Sequence, residues 1–264
     1  MKHMIDGFLL AIQFLTTIPY HKNISWDNQS AKWSVRNFPI IGLLAGIFLV
    51  LQLVLLMKYT PFSPLFISLW IIFFGVLFTG GLHLDGWMDM SDAVFSYRDI
   101  ERKLEIMSDS RVGAFGVISL LFLLSFRFLF TYEVLLQSNI TQLILIGFIP
   151  FLARTAAAAL LITGKSAKPT GMAAAYQGLL SKGDLIYIIG ILFVIFCVVV
   201  LLEGSFLFPL SLLIIGSVLF YWFAKSFFNH QFRGITGDTL GALSEGEETF
   251  LWFILWLLHS FDMV

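Results

Sequence analysis

Residues Gly80–Gly116 read GGLHLDGWMDMSDAVFSYRDIERKLEIMSDSRVGAFG, and their polarity decides how the rest of the chain is read. The window holds seven acidic and four basic side chains, while the sequence on either side of it is overwhelmingly apolar. Asp85, Asp89 and Asp92 stand at i, i+4 and i+7. On a helix advancing about 100° per residue, that spacing places three carboxylates within an arc of roughly 60°. Carboxylates so close raise one another's pKa or separate unless a cation lies between them. Two readings fit. One is a hard, oxygen-liganded ion, with Mg²⁺ favoured because it keeps waters and takes few protein carboxylates beside substrate phosphates. The other is a solvated acidic helix end just outside a membrane.

The remaining sequence supplies the membrane. Of 264 residues, 58% are hydrophobic and only 12% charged, and the mean hydropathy of +0.89 lies far beyond ordinary globular usage. The chain is therefore expected to be an all-α, polytopic membrane helix bundle forming a single transmembrane domain over 1–264. The lipid bilayer is its first partner. A net charge of -1 leaves no nucleic-acid footprint, and the single cysteine, Cys197, rules out an internal disulfide. An Asp at the centre of a spanning helix costs about 2.5 to 3.5 kcal/mol, so the three aspartates belong at the membrane edge or in a wet cavity.

Six runs have the length of a hydrocarbon core: 38–57, 64–84, 112–131, 140–162, 185–202 and 206–223. A seventh, Thr249–Phe261, is short. At the N-terminus, Gly7–Ile18 is too short to cross comfortably, which predicts a re-entrant or interfacial helix; no small-residue cleavage site follows it, so it is expected to stay in the mature chain. Loops 20–37, 85–111, 163–184 and 224–248 carry twelve Lys and Arg (Lys22 among them), whereas the opposite connections carry only Lys58. Cytoplasmic loops hold the basic excess, which predicts that all four face the cytoplasm together with the aspartates.

Other residues suit the same chemistry. Asp109, Ser110 and Arg111 precede a glycine-containing helix start, an arrangement that accepts a phosphate as readily as it caps a helix. Arg154, after Pro150 in a span, either contacts an anionic substrate or pairs structurally with a carboxylate. Arg127 is placed near a helix end, where it would snorkel to the interface without a role. The 234–248 segment brings Asp238 and Thr239, either as metal and nucleotide contacts or as an ordinary capped turn. His83 suits a general base by type; a continuous helix would turn it about 160° from the aspartates, whereas a break at the preceding Gly80-Gly81 would leave it free to join them.

These residues resemble a known family. Gly80-Gly-Leu-His-Leu-Asp-Gly86, the aspartate series, Arg102-Lys-Leu-Glu-Ile-Met107 with Asp109-Ser-Arg111, and Ile235-Thr-Gly-Asp-Thr-Leu-Gly-Ala242 are similar to the motifs of adenosylcobinamide-GDP ribazoletransferases, the cobalamin synthases. Phe38-Pro39 with Gly42 fits the family's first span. Val94–Tyr97 departs from it, standing where other members carry glycines. The resemblance implies Mg²⁺-dependent transfer of the adenosylcobinamide-phosphate group from adenosylcobinamide-GDP to α-ribazole or its 5'-phosphate, releasing GMP, at a bacterial cytoplasmic (inner) membrane. It assigns Asp85, Asp89 and Asp92 as metal ligands, one of them doubling as base. It places Asp109 and Asp238 beside the metal, Arg111 and Arg154 on the diphosphate, Thr239 near the substrate, and His83 orienting a carboxylate or touching substrate. Whether the protein is a homo-oligomer stays open. A CDP-alcohol phosphatidyltransferase would share the aspartates, but its Asp-Gly-x-x-Ala-Arg opening is missing; a cation transporter would need acidic residues deep in several spans.

Overall fold

The computed structural model describes residues 2–20, 24 and 26–263; Lys22, counted above among the loop cations, lies outside them. The described residues are helical throughout, in the order α1 (Lys2–Leu15), α2 (Asn28–Arg36), α3 (Phe38–Tyr59), α4 (Pro64–Thr79), α5 (Leu82–Phe95), α6 (Ile100–Ile106), α7 (Ala114–Gln137), α8 (Leu143–Thr163), α9 (Met172–Tyr176), α10 (Lys182–Leu202), α11 (Leu207–Phe232) and α12 (Gly237–Ser260). Five helices are long and apolar enough to cross a membrane, or six if α4 and α5 count as one broken span. This is a multi-pass membrane protein of all-α class. Its apolar residues face outward along α3, α7, α10 and α11, as lipid contact requires and water would not allow.

Helix α8 forms the axis, buried on nearly every side. It lies against α3 where Gly42 and Gly46 let the two backbones touch: a Cβ at Gly42 would stand 2.6 Å from the Pro150 carbonyl. Small residues at such crossings are how membrane helices gain van der Waals contact when lipid is as apolar as leucine.

The expected span 64–84 is broken. Gly80 and Gly81 both adopt left-handed φ angles, 66° and 75°, a conformation that favours glycine, and the chain turns through 90° between α4 and α5. Helix α5, with its aspartates, therefore runs across the polar end of the bundle instead of continuing through it. The second correction concerns 224–248, read as a loop. Helix α11 continues to Phe232, and α12 begins at Gly237 behind a reciprocal cap between Thr236 and Thr239, so the short run Thr249–Phe261 is the far half of a helix of 24 residues. Helix α1 is 14 residues long, short of a span as expected, and packs against α2 with Gly7 on the Trp33 side chain.

Direct contacts gather the four polar connections at one end. Asp184 at the start of α10 pairs with Arg36 (2.7 Å) and Lys32 (3.2 Å), Ser34 shares a hydrogen bond with Tyr176, Arg233 meets Glu101, and Ser166 and Ile235 form a parallel bridge. This shared end is what the loop charges had implied.

Candidate active site

Helix α5 is held at this end from two sides. On one, it crosses the start of α12: a Cβ on Gly86 would come within 2.7 Å of the Asp238 carbonyl, and one on Gly241 within 3.1 Å of His83. On the other, the Asp92 carboxylate accepts the amides of Gly113 (2.7 Å) and Gly116 (2.8 Å) at the start of α7. A helix N-terminus presents unpaired N–H groups and a positive dipole end, so an anion there is well placed. With both oxygens engaged, Asp92 ties α5 to α7, and Asp109 and Ser110 do not cap that helix.

Asp89 shares α5 with Asp85, and the Gly86 crossing sets Asp238 of α12 beside that helix. Partial burial, reinforced by Asp85, Asp238 and Asp92, pushes the Asp89 carboxyl up to about 7. Burial raises Asp238 as well, opposed by Lys168 and by the Thr236 hydroxyl, which donates to Asp238 at 3.3 Å. Asp238 thus joins the aspartate face from another helix. Among the described residues no three His, Cys, Asp or Glu side chains stand close enough together to hold an ion in the geometry seen here. The donor type is nonetheless that of a hard cation, and the mutual repulsion felt by Asp89 is what such a cation relieves.

Several expected site residues lie elsewhere. Arg154 is buried within the bundle, its guanidinium 3.2 Å from Glu248, which lies 3.7 Å from Arg127; Arg127 in turn pairs with Glu245 at 2.8 Å. Arg127 also donates to the Glu245 carbonyl (2.6 Å) and the Thr249 hydroxyl (2.9 Å). Arg127 is therefore no snorkelling residue: α7 extends ten residues beyond it, and it faces inward. His83 is buried at the start of α5, its Nδ1 without a hydrogen-bond partner, against α12. Because α5 is continuous from Leu82, the angular separation from the aspartates stands. Thr239 is fully buried and its hydroxyl is occupied by the cap, donating to the Thr236 carbonyl and accepting the Thr236 amide, so it shapes the start of α12 and does not face a ligand. Arg111 and Asp109 form an exposed, self-paired turn with contacts of 2.6 to 3.1 Å, in which Arg111 holds Asp109 down to about 2.

The four-residue network of Arg127, Arg154, Glu245 and Glu248 had escaped sequence reading, as had the buried Glu247, whose carboxylate takes a short hydrogen bond from Ser217. The available signal was the Thr236-x-x-Thr239 cap followed by a stretch without proline, which marks 237 as a helix start and carries three glutamates into the bundle.

Comparison with known proteins decides the family. Residues 7–256 match the family model described as cobalamin-5-phosphate synthase. The chain belongs to that family. Among curated relatives, the adenosylcobinamide-GDP ribazoletransferase of Geobacillus sp. (strain WCH70) is 48% identical, with all of both chains covered. Those of Halalkalibacterium halodurans and Clostridioides difficile are 39% and 35% identical, each alignment covering at least 96% of both chains. No solved structure matches. In this member of the cobalamin-5-phosphate synthase family, the aspartate-bearing helix, its two glycine crossings and the Asp238 segment all fall within the matched region.

Proposed function

We propose that this protein transfers the adenosylcobinamide-phosphate group of adenosylcobinamide-GDP to α-ribazole or α-ribazole 5'-phosphate, releasing GMP, at the cytoplasmic face of a bacterial inner membrane. Full-length similarity to adenosylcobinamide-GDP ribazoletransferases supports the reaction, and the basic character of the loops at the aspartate end supports the orientation. The observation that carries the mechanism is the crossing at Gly86, which sets the helix bearing Asp85 and Asp89 in backbone contact with Asp238 of α12.

These three carboxylates would hold Mg²⁺, which supplies neutralisation of the diphosphate oxygens and a template for in-line displacement. The acceptor hydroxyl attacks the phosphorus carried by adenosylcobinamide, a new O–P bond forms, and the bond to the GMP oxygen breaks. The hydroxyl proton passes to a carboxylate of the cluster. We assign that task to Asp89, whose carboxyl pKa is raised by burial and by the neighbouring aspartates when no metal is bound. Asp92 keeps α5 seated on α7 so that the other aspartates stay aimed at Asp238. Glu245 and Glu248, locked to Arg127 and Arg154, hold α12 in register against α7 and α8 and so fix the height of Asp238.

The test is incubation of purified protein with adenosylcobinamide-GDP and α-ribazole 5'-phosphate, with Mg²⁺ and with chelator, while GMP is measured. Release of GMP only with the metal is expected; release independent of Mg²⁺ removes the metal from the proposal, and no release removes the reaction.

A further inference from the structure

The turn from which the aspartate helix springs has few neighbours. Among the described residues, the position a Cβ would take at Gly81 meets nothing within 4 Å, and at Gly80 it meets only the methyl group of Thr17, at 2.8 Å. Both glycines stand at left-handed φ, a region they share with many other conformations open to them, so they permit the 90° between α4 and α5 without choosing its direction. Helices α7 and α12 hold α5 along its length; the turn itself needs a separate hold.

Thr17 supplies it. Its amide donates to the Phe78 carbonyl and its hydroxyl to the Leu77 carbonyl, each at 2.8 Å, the hydroxyl bond spanning 60 positions of sequence. These carbonyls belong to the last turn of α4, where a helix has no partners of its own to offer. Leu77 and Ile18 beside them are exposed and apolar, and at a lipid-facing surface backbone carbonyls take their partners from the protein. Thr17 is in turn held from behind. Helix α1 ends at the buried Leu15, the Thr16 amide and hydroxyl both return to the Ile12 carbonyl (2.9 and 2.8 Å), and the Ile18 amide donates to the Thr16 hydroxyl (3.2 Å). The N-terminal helix therefore reaches the α4–α5 turn as a fixed arm.

We propose that Thr17 is a positioning residue for the transfer reaction: by holding the last turn of α4 it fixes the direction in which α5 leaves Gly80–Gly81, and so where Asp85 and Asp89 stand relative to Asp238. The inference rests on the reading of those aspartates given above. Thr17 acts through the turn and not on substrate or metal. Its hold has a short way to travel, because the Asp85 amide donates to the Gly81 carbonyl (2.9 Å), which builds the first turn of α5 directly on the second glycine.

The experiment uses the full chain in detergent, as wild type, Thr17→Val and Thr17→Ser. Valine keeps the shape and the amide but loses the hydroxyl bond, and serine keeps the hydroxyl. Amide hydrogen exchange read by mass spectrometry should quicken over residues 76–88 in Thr17→Val, while peptides from α8 and α11 keep their wild-type rates. GMP release by the same variant should need about threefold more Mg²⁺ for half-saturation, the shift expected when only about a third of the molecules hold α5 in place. Thr17→Ser should restore both readings. Wild-type exchange over 76–88 in Thr17→Val overturns the proposal, and so does exchange that quickens equally throughout the bundle, the mark of a merely structural residue. Faster local exchange with GMP release and its Mg²⁺ dependence unchanged overturns it as well. Faster local exchange in Thr17→Val beside a wild type that releases no GMP would retain the hold on α5 while sinking the transfer reaction, so the two failures are distinguishable.

Discussion

Asp92 accepts the Gly113 amide at 2.7 Å, fastening the aspartate helix to the start of its neighbour. The second carboxylate oxygen takes Gly116, so both are committed to N–H donors. Asn at this position keeps one acceptor and turns an NH₂ toward an amide. Hydrogen bonds to a charged group contribute about 1.5 to 3 kcal/mol, and Asp92→Asn is expected to lower the melting temperature in detergent clearly. The half-saturating Mg²⁺ concentration should move little; a large change there with unaltered melting would mean that Asp92 ligates the ion.

Asp89→Asn should do the opposite. Turnover is expected to fall by about 10²-fold or more, the scale of a positioned base, while thermal stability holds or improves because a repelled, half-buried charge is gone. GMP release and melting measured on one preparation separate the two variants.

The raised Asp89 carboxyl also sets a pH dependence. Its folded value of about 7 exceeds the unfolded 3.8, so the folded protein holds this proton more tightly than the unfolded chain does. Any stability linked to that proton is complete below the unfolded value and lost as pH rises through 7. Without metal, the Asp89 contribution makes the protein less stable at pH 8 than at pH 6, and Asp89→Asn should flatten that slope. Metal must displace the same proton, so Mg²⁺ half-saturation is expected to rise as pH falls from 8 to 6.

Gly86→Ala brings a methyl to 2.7 Å from the Asp238 carbonyl and 2.9 Å from its Cα, both backbone atoms of a capped helix. Neither moves cheaply, so α5 and α12 should separate and carry Asp85 and Asp89 away from Asp238. Activity is expected to drop at least tenfold, with the membrane-embedded core still folded; full activity would mean that the crossing tolerates displacement.

Arg127→Ala strands Glu245 inside the bundle. Removing one partner of a buried pair costs about 3 to 5 kcal/mol, whereas replacing both by apolar residues of similar size is often nearly neutral. Arg127→Met should therefore unfold well below wild type, and Arg127→Met with Glu245→Leu should recover much of the loss, as read by thermal inactivation in detergent.

The amino-acid sequence by itself determined the all-α membrane class, most of the span positions, the gathering of basic loops at one end and the motifs that resemble the family. These properties follow from hydropathy, charge counts and short-range order, which act locally along the chain. The 90° turn at Gly80–Gly81 belongs partly to that level, since paired glycines announce a break, but its direction depends on what α5 packs against. Only the tertiary structure decided that Asp238, far along the chain, stands with Asp85 and Asp89, that Asp92 serves a helix end, and that Arg127 and Arg154 serve glutamates inside the bundle. A charged side chain among apolar residues shows that a partner must exist, because isolation in lipid is costly, but which partner it finds is set by helix crossings fixed at Gly86 and Gly241, contacts between residues that no periodicity along the chain relates.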